Sequence, residues 1–394
     1  MNYITAYNSL IQSGEIVASR RVKQVYARLA AATADTSGQY IFDEARASRP
    51  IAFIERFCKH SKGEWAGQSI SLELFQKAYI QALYGFIDRD TGCRQYRESF
   101  FLVGRKNGKS TLLAGLALYM LTSDGEGGAE VYSTATKYAQ ARLLFDEAHN
   151  MIKQSPALAR HFRKRKSDLY YEPAMSKFQP LARNSDTLDG LNASFVIMDE
   201  LHGVKDRNLY EVMRQSQSAR RQPLMIMITT AGTVRECIFD DMYTYAANVA
   251  DGVIADLHFL PILYELDDRS EWTDPAAWIK ANPALGAIKK PDDLTAKVER
   301  AKQNRNELSG VLCKEFNVRE TVKTAWLSFD DINNEQTFDL EQFRGAYCIG
   351  GVDLSITTDL TCASLLFMKR GDDRKLLATR RPTARARAAG QNTL

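Results

Sequence analysis

The chain has 394 residues, of which 45% are hydrophobic and 25% charged, and its formal net charge is +4. This composition predicts a globular protein with a real core, and the length suffices for two or three domains. The six cysteines lack the paired spacing of a zinc site or a disulfide framework, which indicates a reducing compartment. The slight charge does not by itself indicate nucleic-acid binding, and no apolar run reaches membrane-spanning length.

Helical segments come first along the chain. Residues 1 to 50 form a predicted N-terminal helical appendage, in which the alanine-rich stretch 21–32 is the clearest helix. Helical pattern resumes over residues 51–60 and 72–86. The alternating core of the chain follows these segments.

A strand, a polar loop and a helix follow one another from residue 100 to residue 121. The apolar run 100–103 predicts a buried strand, and the apolar stretch 112–121 predicts a helix. Backbone N–H groups and the helix dipole at such a junction bind phosphates, so the loop is a predicted nucleoside-triphosphate site. Lys109 is expected to reach the terminal phosphates, and Ser110 to hold a magnesium ion. The loop residues expected to contact the nucleotide are Gly104, Arg105, Lys106, Asn107, Gly108, Lys109, Ser110 and Thr111.

This loop departs from the standard spacing in one respect. The pattern places its first glycine at position 103, where the chain has Val103, and Gly104 comes one residue late. An ordinary polar turn between a strand and a helix is therefore the alternative.

A second strand ends in acid, as a P-loop ATPase requires. Four apolar residues at 195–198 run into Asp199 and Glu200. Asp199 is expected to bind the magnesium ion, and Glu200 to act as the general base that polarises the attacking water. The alternative is an exposed acidic pair at the end of a strand.

A third apolar strand, 223–228, runs into the small residues 229–233. Its unbroken apolar character is typical of a strand buried on both faces of a parallel sheet. The hydroxyl of Thr230 is expected to sense the terminal phosphate. A turn rich in small residues is the alternative.

The remaining pattern completes an α/β fold with a parallel sheet flanked by helices. Strands near 100, 131, 195 and 224 alternate with helical pattern. Further predicted elements are one or two inserted strands within 169–181, a strand at 256–264, a linker or lid at 267–293 and a helical region at 293–316. The predicted domains are the appendage 1–50, an ATPase domain 51–266, a linker or lid region 267–344 and a C-terminal domain 345–394.

Together these motifs resemble the large subunit of a tailed-phage terminase, the ATP-driven motor that packages DNA into procapsids. The resemblance covers about residues 50 to 370 and is carried by segments 104–110, 132–142, 189–203 and 229–232. It implies a P-loop NTPase (RecA/ASCE-like) domain that uses ATP and Mg²⁺. It also implies that Gln76 reads the adenine, with a solvated helix residue as the alternative.

The resemblance further implies partners and a place of action. These are double-stranded DNA, a small terminase subunit and a portal protein, with a homo-oligomeric ring during packaging, no membrane, and the cytoplasm of the bacterial host. Arg105 is a candidate arginine finger in cis, whereas Arg142, Arg183 or Arg214 are candidates that act on a neighbouring subunit.

Family members also carry a C-terminal nuclease with an RNase H-like fold. Residues 347–355 resemble its first strand, which makes Asp353 a candidate metal ligand, with Asp359 nearby. Segments 361–368 and 375–378 are predicted as the next two strands. No Asp or Glu follows Asp373, and two-metal cleavage needs several carboxylates. We therefore expect a partial, vestigial nuclease domain that does not cut DNA.

Two other functions are compatible with part of the pattern. The run 199–202 also fits the acidic box of a DEAD/DEAH-type helicase, although residues 235–345 show no second arginine-rich ATP motif. The chain is alternatively an idle prophage remnant or a nucleotide-dependent binding module. ATP hydrolysis measured with and without DNA separates these possibilities.

Overall fold

The computed structural model describes residues 1–135, 137–182, 190–203, 207–232, 237–320, 339–353, 362–368 and 375–380. The chain divides into two units, residues 1–325 and residues 326–394. Within the described residues, no helix is both long enough and apolar enough to cross a membrane.

The described α-helices all belong to the first unit. They are α1 Tyr3–Ser13, α2 Arg20–Ala34, α3 Glu44–Phe57, α4 Leu74–Gly85, α5 Lys109–Thr122, α6 Tyr138–Gln154, α7 Pro156–Ala159, α8 Asn208–Gln215, α9 Ile238–Ala250, α10 Pro291–Gln303 and α11 Arg305–Glu315.

The strands occur in both units. Those of the first unit are β1 Tyr40–Phe42, β2 Phe86–Asp88, β3 Glu98–Leu102, β4 Glu130–Ala135, β5 Phe162–Lys164, β6 Leu169–Tyr171, β7 Ser176–Ala182, β8 Phe195–Asp199, β9 Leu224–Thr229 and β10 Phe259–Leu263. Those of the second unit are β11 Tyr347–Asp353, β12 Cys362–Met368 and β13 Lys375–Arg380.

An eight-stranded sheet in the order β10-β3-β9-β8-β4-β7-β6-β5 organises the first unit. Its strands are parallel from β10 to β7, whereas β6 and β5 pair antiparallel at one edge. All six residues of β9 are buried, because a parallel sheet in an α/β fold is covered on both faces. The predicted parallel sheet is therefore present, and β6 and β7 are the inserted strands expected within 169–181.

The predicted appendage packs into the main core. Ile4 and Val22 are fully buried, and the rings of Tyr7 and Tyr26 meet edge to face with centroids 4.8 Å apart. The hydroxyl of Tyr264, just after β10, donates to that of Tyr7 at 3.4 Å. Helices α1 and α2 thus share the core of the sheet.

A second, smaller hydrophobic core lies within residues 266–318, which we call the helical module. Its buried residues include Trp278, Leu294, Val298 and Phe316. Helices α10 and α11 supply most of this module, so the helical region predicted at 293–316 is two helices that meet at Asn304. The segment predicted as a linker or lid therefore has a core of its own as far as residue 318.

The second unit contains a three-stranded antiparallel sheet in the order β11-β12-β13. Tyr347 pairs with Met368 and Asp353 with Cys362 along the first ladder. Tyr347, Ile349 and Val352 are exposed on β11. Asp353 is the last residue of β11; its side chain, and all of Asp359, lie outside the described residues.

Candidate nucleotide site

Three neighbouring strands deliver the predicted nucleotide-site residues to one edge of the sheet. In the order β3-β9-β8, Leu102 pairs with Thr229 and Ile228 pairs with Asp199, so the three strands end at the same level. Carboxyl ends of parallel strands are where ligands bind in α/β sheets. The loop after β3, the acid at the end of β8 and the threonines at the end of β9 are thereby brought together.

The loop between β3 and α5 has the backbone of an anion site. Lys106 and Gly108 have positive φ angles of 66° and 77°, and a side chain at such a φ stores strain that functional sites tolerate. Gly108 is the N-cap of α5 and offers no side-chain hydrogen bond. The first N–H groups of this helix are therefore left for a ligand. Helix α5 begins at Lys109, three residues before the predicted apolar stretch, and Ser110 is exposed on its first turn.

Lys109 is held at the centre of the site. Its Nζ donates to the carbonyl of Val103 at 3.3 Å. Desolvation lowers the pKa of Lys109, while the carboxylates of Glu200 and Asp199 raise it and the Arg105 guanidinium lowers it. The ammonium thus lies among the two predicted acids and the predicted loop arginine.

Asp199 is a carboxylate that its surroundings do not fully stabilise. Burial raises its pKa to about 6, with Lys109 opposing and Glu200 adding to the shift. Its Oδ1 accepts from the Glu200 backbone N–H at 2.9 Å. Among the described residues, no group of three His, Cys, Asp or Glu side chains lies close enough to hold a metal ion. One carboxylate suits Mg²⁺ bound with substrate phosphates, because that ion keeps most of its ligands as phosphate oxygens and water.

Glu200 lies beside His202, a residue for which the sequence analysis predicts no role in the nucleotide site. The backbone of Glu200 has a φ of 55°, and its Oε2 lies 3.1 Å from Nδ1 of His202. The same ring nitrogen lies 2.9 Å from Oγ1 of Thr229, which itself donates to the carbonyl of Thr230 at 2.8 Å. Thr229 therefore accepts from the ring, and this pattern assigns the proton to Nδ1 of a neutral His202. Desolvation lowers the pKa of His202, although Glu200 raises it.

Thr230 has an unsatisfied hydroxyl. The residue is fully buried, and its Oγ1 has no hydrogen-bond partner within the described protein. A buried polar atom without a partner is costly. Thr230 directly follows β9, whose last residue pairs with the last residue of β3, the strand that leads into the loop.

Gln76 is buried rather than solvated, with 3% of its surface exposed. Its Oε1 accepts from the backbone N–H of Glu73 at 3.0 Å, which fixes the orientation of the amide. A Cβ placed on Gly108 would lie 3.0 Å from Gln76 Nε2 and equally far from the side chain of Ile288. The amide group and Ile288, which is 45% exposed, therefore both flank the loop.

The other arginine-finger candidates lie elsewhere in the fold. Arg142 on α6 pairs with Asp146 at 3.3 Å, and Arg214 on α8 pairs with Glu98 at 3.0 Å. Arg183 lies outside the described residues. Arg105 is exposed in the loop.

The rear of the loop was missed by sequence reasoning. Asn107 donates to Asn282 Oδ1 at 3.0 Å and accepts from the backbone N–H of Ala284 at 3.0 Å. Both partners are some 175 positions away in the chain, within the segment predicted as a linker or lid. No local pattern could identify them, because their role depends on a tertiary contact.

Two family models match consecutive parts of the chain. One describes the ATPase domain of the terminase large subunit and matches residues 74–248. The other describes the endonuclease domain of the terminase large subunit and matches residues 253–380. The second match begins at residue 253 and therefore includes β10 and the helical module, upstream of the start predicted at 345.

Individual relatives agree with the family models. The large terminase subunit of Enterobacteria phage HK97 is 29% identical over 263 residues, which are 65% of this chain and 50% of that protein. Protein YmfN of Escherichia coli K12 is 30% identical over 190 residues, 47% of this chain and 41% of that protein. The large terminase subunit of Lactococcus phage p2 is 25% identical over 337 residues, 83% of this chain and 61% of that protein. The chain thus spans about half the length of the relatives it matches.

The fold agrees with that of a solved structure, the large terminase of phage HK97. The crystal structure of the HK97 large terminase aligns with a TM-score of 0.62 and 24% identity, covering 85% of this chain and 67% of that one. At this identity the match shows the fold alone. The family models and the relatives carry the assignment further, and the helicase alternative receives no support from them. This chain belongs to the terminase large subunit family.

Proposed function

We propose that this chain is the ATP-hydrolysing motor subunit of a phage terminase that drives DNA packaging into procapsids. The observation that carries the proposal is the convergence of Lys109, Asp199, Glu200 and Thr230 at the ends of three adjacent parallel strands. Thr230 Oγ1 has no partner within the described protein, and burial raises the pKa of Asp199. A nucleoside triphosphate with a divalent ion supplies a partner for both groups.

The residues of the loop bind and orient the phosphates. The N–H groups of the first turn of α5 and the ammonium of Lys109 hold the terminal phosphates. Ser110 and Asp199 hold Mg²⁺, whose charge offsets that of the phosphate oxygens. Asp199 is most effective as a ligand when ionised, and its pKa of about 6 leaves it mostly ionised at neutral pH.

Glu200 acts as the general base, and His202 positions it. Nδ1 of His202 lies 3.1 Å from Glu200 Oε2 and 2.9 Å from Oγ1 of Thr229, the last residue of β9, and so connects the base to that strand. Thr230 offers its hydroxyl to the terminal phosphate. Loss of that phosphate therefore reaches Glu200 through Thr230, Thr229 at the end of β9, and the imidazole of His202.

Arg105 and Gln76 complete the site. Arg105 supplies positive charge to the terminal phosphate in cis. Its exposure in the loop, and a guanidinium that lowers the pKa of Lys109 and of His202, support this role. Gln76 offers its NH₂, which has no hydrogen-bond partner among the described residues, to the adenine edge, which favours ATP over GTP. The side chain of Ile288, which flanks Gly108, gives the adenine ring an apolar surface to pack on.

The same proposal includes the partners of a packaging motor. Double-stranded DNA, a small terminase subunit and a portal protein are expected to bind the chain in the host cytoplasm, where copies form a ring. The hairpin of β5 and β6 carries exposed cations, Arg163, Lys164 and Lys166, at the edge of the sheet, which suits contact with phosphates. Two of the relatives, from phages HK97 and p2, are named as terminase large subunits.

We predict that this chain does not cleave DNA. Plasmid DNA incubated with the chain and Mg²⁺ or Mn²⁺ is expected to remain uncut. Linearisation that disappears with Asp353→Ala would show instead that Asp353 belongs to a working nuclease.

ATP hydrolysis with and without double-stranded DNA tests the proposal. Wild-type protein is expected to release phosphate, and Lys109→Ala to abolish turnover and weaken ATP binding, because the ammonium neutralises the terminal phosphates. Lys302→Ala is the control, since Lys302 pairs with Glu299 on the surface of α10 and should leave turnover unchanged. A wild-type protein that binds ATP but never hydrolyses it would favour a nucleotide-dependent binding module.

A further inference from the structure

Lys289 is a buried lysine behind the nucleotide loop, and the proposed chemistry does not use it. Its side chain is 1% exposed, and its Nζ donates to Oε2 of Glu315 at 2.6 Å and to Oδ1 of Asn282 at 2.5 Å. Glu315 also accepts from Lys297 at 3.1 Å through its other oxygen. Lys289 and Glu315 thus form a buried ion pair that contacts Asn282.

Asn282 passes this contact on to the loop. Its Oδ1 accepts from both Lys289 and Asn107 Nδ2, and its Nδ2 donates to the carbonyls of Trp278 and Glu315. All four hydrogen-bonding positions of the amide are therefore occupied. An amide used in this way has one orientation, because turning it over would oppose Lys289 with an NH₂ group.

Asn107 is the loop residue that hydrogen-bonds to Asn282. Its Nδ2 also donates to the carbonyl of Gly104 at 2.9 Å, and its Oδ1 accepts from the Ala284 N–H. The backbone N–H groups of Gly104 and Arg105 donate to the carbonyls of Ala281 and Lys314 at 3.0 and 2.9 Å. Three residues of the loop are consequently fixed from behind by the helical module.

The fit at this point is close. A Cβ on Gly104 would lie 2.4 Å from Asn282 Oδ1 and 2.6 Å from the carbonyl of Glu315. The same module also holds the neighbouring strand end, since Asn317 accepts from the N–H of Ala231 and donates to the carbonyl of Tyr264. One rigid backing therefore supports both segments that face the phosphates.

A buried ion pair is a poor choice when only stability is needed. Desolvation of two charges commonly cancels their attraction, and apolar residues of similar size often serve as well. A fully satisfied polar network instead specifies one arrangement of the groups it joins. Lys289 is well suited to specifying one arrangement, because its ammonium group begins a series of hydrogen bonds that runs through Asn282 and Asn107 to the loop backbone.

We propose that Lys289 is a positioning residue for ATP turnover, which fixes the nucleotide loop through Asn282 and Asn107 in the geometry that phosphoryl transfer requires. The proposal rests on the proposed ATPase function for its kinetic consequence, although the effect on the loop itself is independent of it. Misplacement of a catalytic group by about 1 Å can cost about 10²-fold in rate. We therefore expect kcat to fall more than KM rises when Lys289 is replaced.

Lys289→Met tests this inference in the full chain, because methionine keeps the length of the side chain and removes its charge and donors. Hydrogen exchange is measured at the amides of Gly104 and Arg105 in the protein without nucleotide, and kcat and KM are measured for ATP. We expect faster exchange at both amides and a kcat lower by about 10- to 100-fold, since geometry rather than affinity is lost.

Lys280→Met is the matched control. Lys280 belongs to the same module and forms ion pairs with Asp267 and Glu271 at 2.9 and 2.5 Å, and no described hydrogen bond joins its side chain to the loop. The control is expected to reduce thermal stability without changing loop exchange or kcat. Lys289→Met together with Glu315→Gln removes both buried charges, which keeps the interior neutral should the single variant fold poorly.

The outcomes separate the two proposals. Slow, wild-type exchange at Gly104 and Arg105 in Lys289→Met, or an unchanged kcat in a hydrolysing protein, would overturn the positioning role. Full kcat in the double variant would also overturn it, because the defect of the single variant would then come from the buried Glu315 carboxylate that has lost Lys289 and keeps only Lys297. Faster loop exchange combined with a wild-type protein that does not hydrolyse ATP would support the positioning of the loop and refute the ATPase function.

Discussion

The two sides of the nucleotide loop differ in how completely their polar groups are satisfied. Behind the loop, Asn107 and Asn282 use all their hydrogen-bonding groups within the protein. In front of it, Thr230 Oγ1 has no partner in the described protein, and burial raises the pKa of Asp199 to about 6. The rear surface is complete without a ligand, whereas the front surface is not.

This difference is what preorganisation requires. Groups that stabilise a transition state act best when the protein, rather than the substrate, has already fixed them. The unsatisfied groups in front of the loop cost free energy. The hydrogen bonds behind the loop hold it in place in spite of that cost. The predictions below change one side or the other.

The largest effect is expected in front of the loop, at Arg105. Arg105→Ala should lower turnover more than ATP affinity, because an arginine finger acts on transition-state charge and is worth about 10³–10⁵ in rate. Steady-state phosphate release and nucleotide binding together check this. Unchanged turnover in Arg105→Ala, with a collapse in Arg142→Ala, would transfer the role to a neighbouring subunit.

Glu200→Gln is expected to retain ATP but to stop its cleavage. The amide cannot accept a proton, and loss of a general base typically costs about 10²–10⁴-fold. A trapped-nucleotide assay combined with phosphate release measures both properties. Wild-type hydrolysis by this variant would remove Glu200 from the mechanism.

Asp199→Asn should stabilise the nucleotide-free protein at pH 8. The pKa of Asp199 in the folded state lies near 6 rather than 3.8, so the folded state binds the proton more tightly than the unfolded state does. The contribution of Asp199 to the free energy of unfolding therefore falls as pH rises from about 4 to 6. Two pKa units correspond to at most about 3 kcal/mol. Thermal denaturation should therefore show a higher Tm for the variant at pH 8 and a smaller difference near pH 4.

Asp268→Asn provides a control of opposite sign for that experiment. Hydrogen bonds from Ser270 lower the pKa of Asp268, so its stabilising effect is present at pH 8 and is lost on acidification. Its replacement should lower the Tm slightly at pH 8. A higher Tm in both variants would mean that general charge, rather than the burial of Asp199, sets the effect.

The smallest effect concerns the rear of the loop, at Gly104. Gly104→Ala forces a methyl group against Asn282 and a backbone carbonyl, and overpacking typically costs about 1–3 kcal/mol. Gly310→Ala on α11 is the control, because a Cβ there meets nothing within 4 Å and alanine favours helices. Chemical denaturation should show destabilisation for the first and none for the second.

Local sequence determined much of the front of the site. The strand–loop–helix around Lys109, the acid-ending strand and the threonine-ending strand were all predicted, because periodicity and motif spacing act over a few residues. The structure begins α5 at Lys109 and ends β8 at Asp199. The roles of all the predicted site residues remain predictions, as do the domain boundaries.

Tertiary structure alone decided the rest. The contacts of Asn107 with Asn282, and of Lys289 with Glu315, join residues far apart in sequence, and no pattern within either segment indicates the other. The same holds for Tyr7, Tyr26 and Tyr264, which bring the predicted appendage into the core. A sequence records which groups are polar or apolar over a short span, but whether a buried group is satisfied depends on what folding places against it.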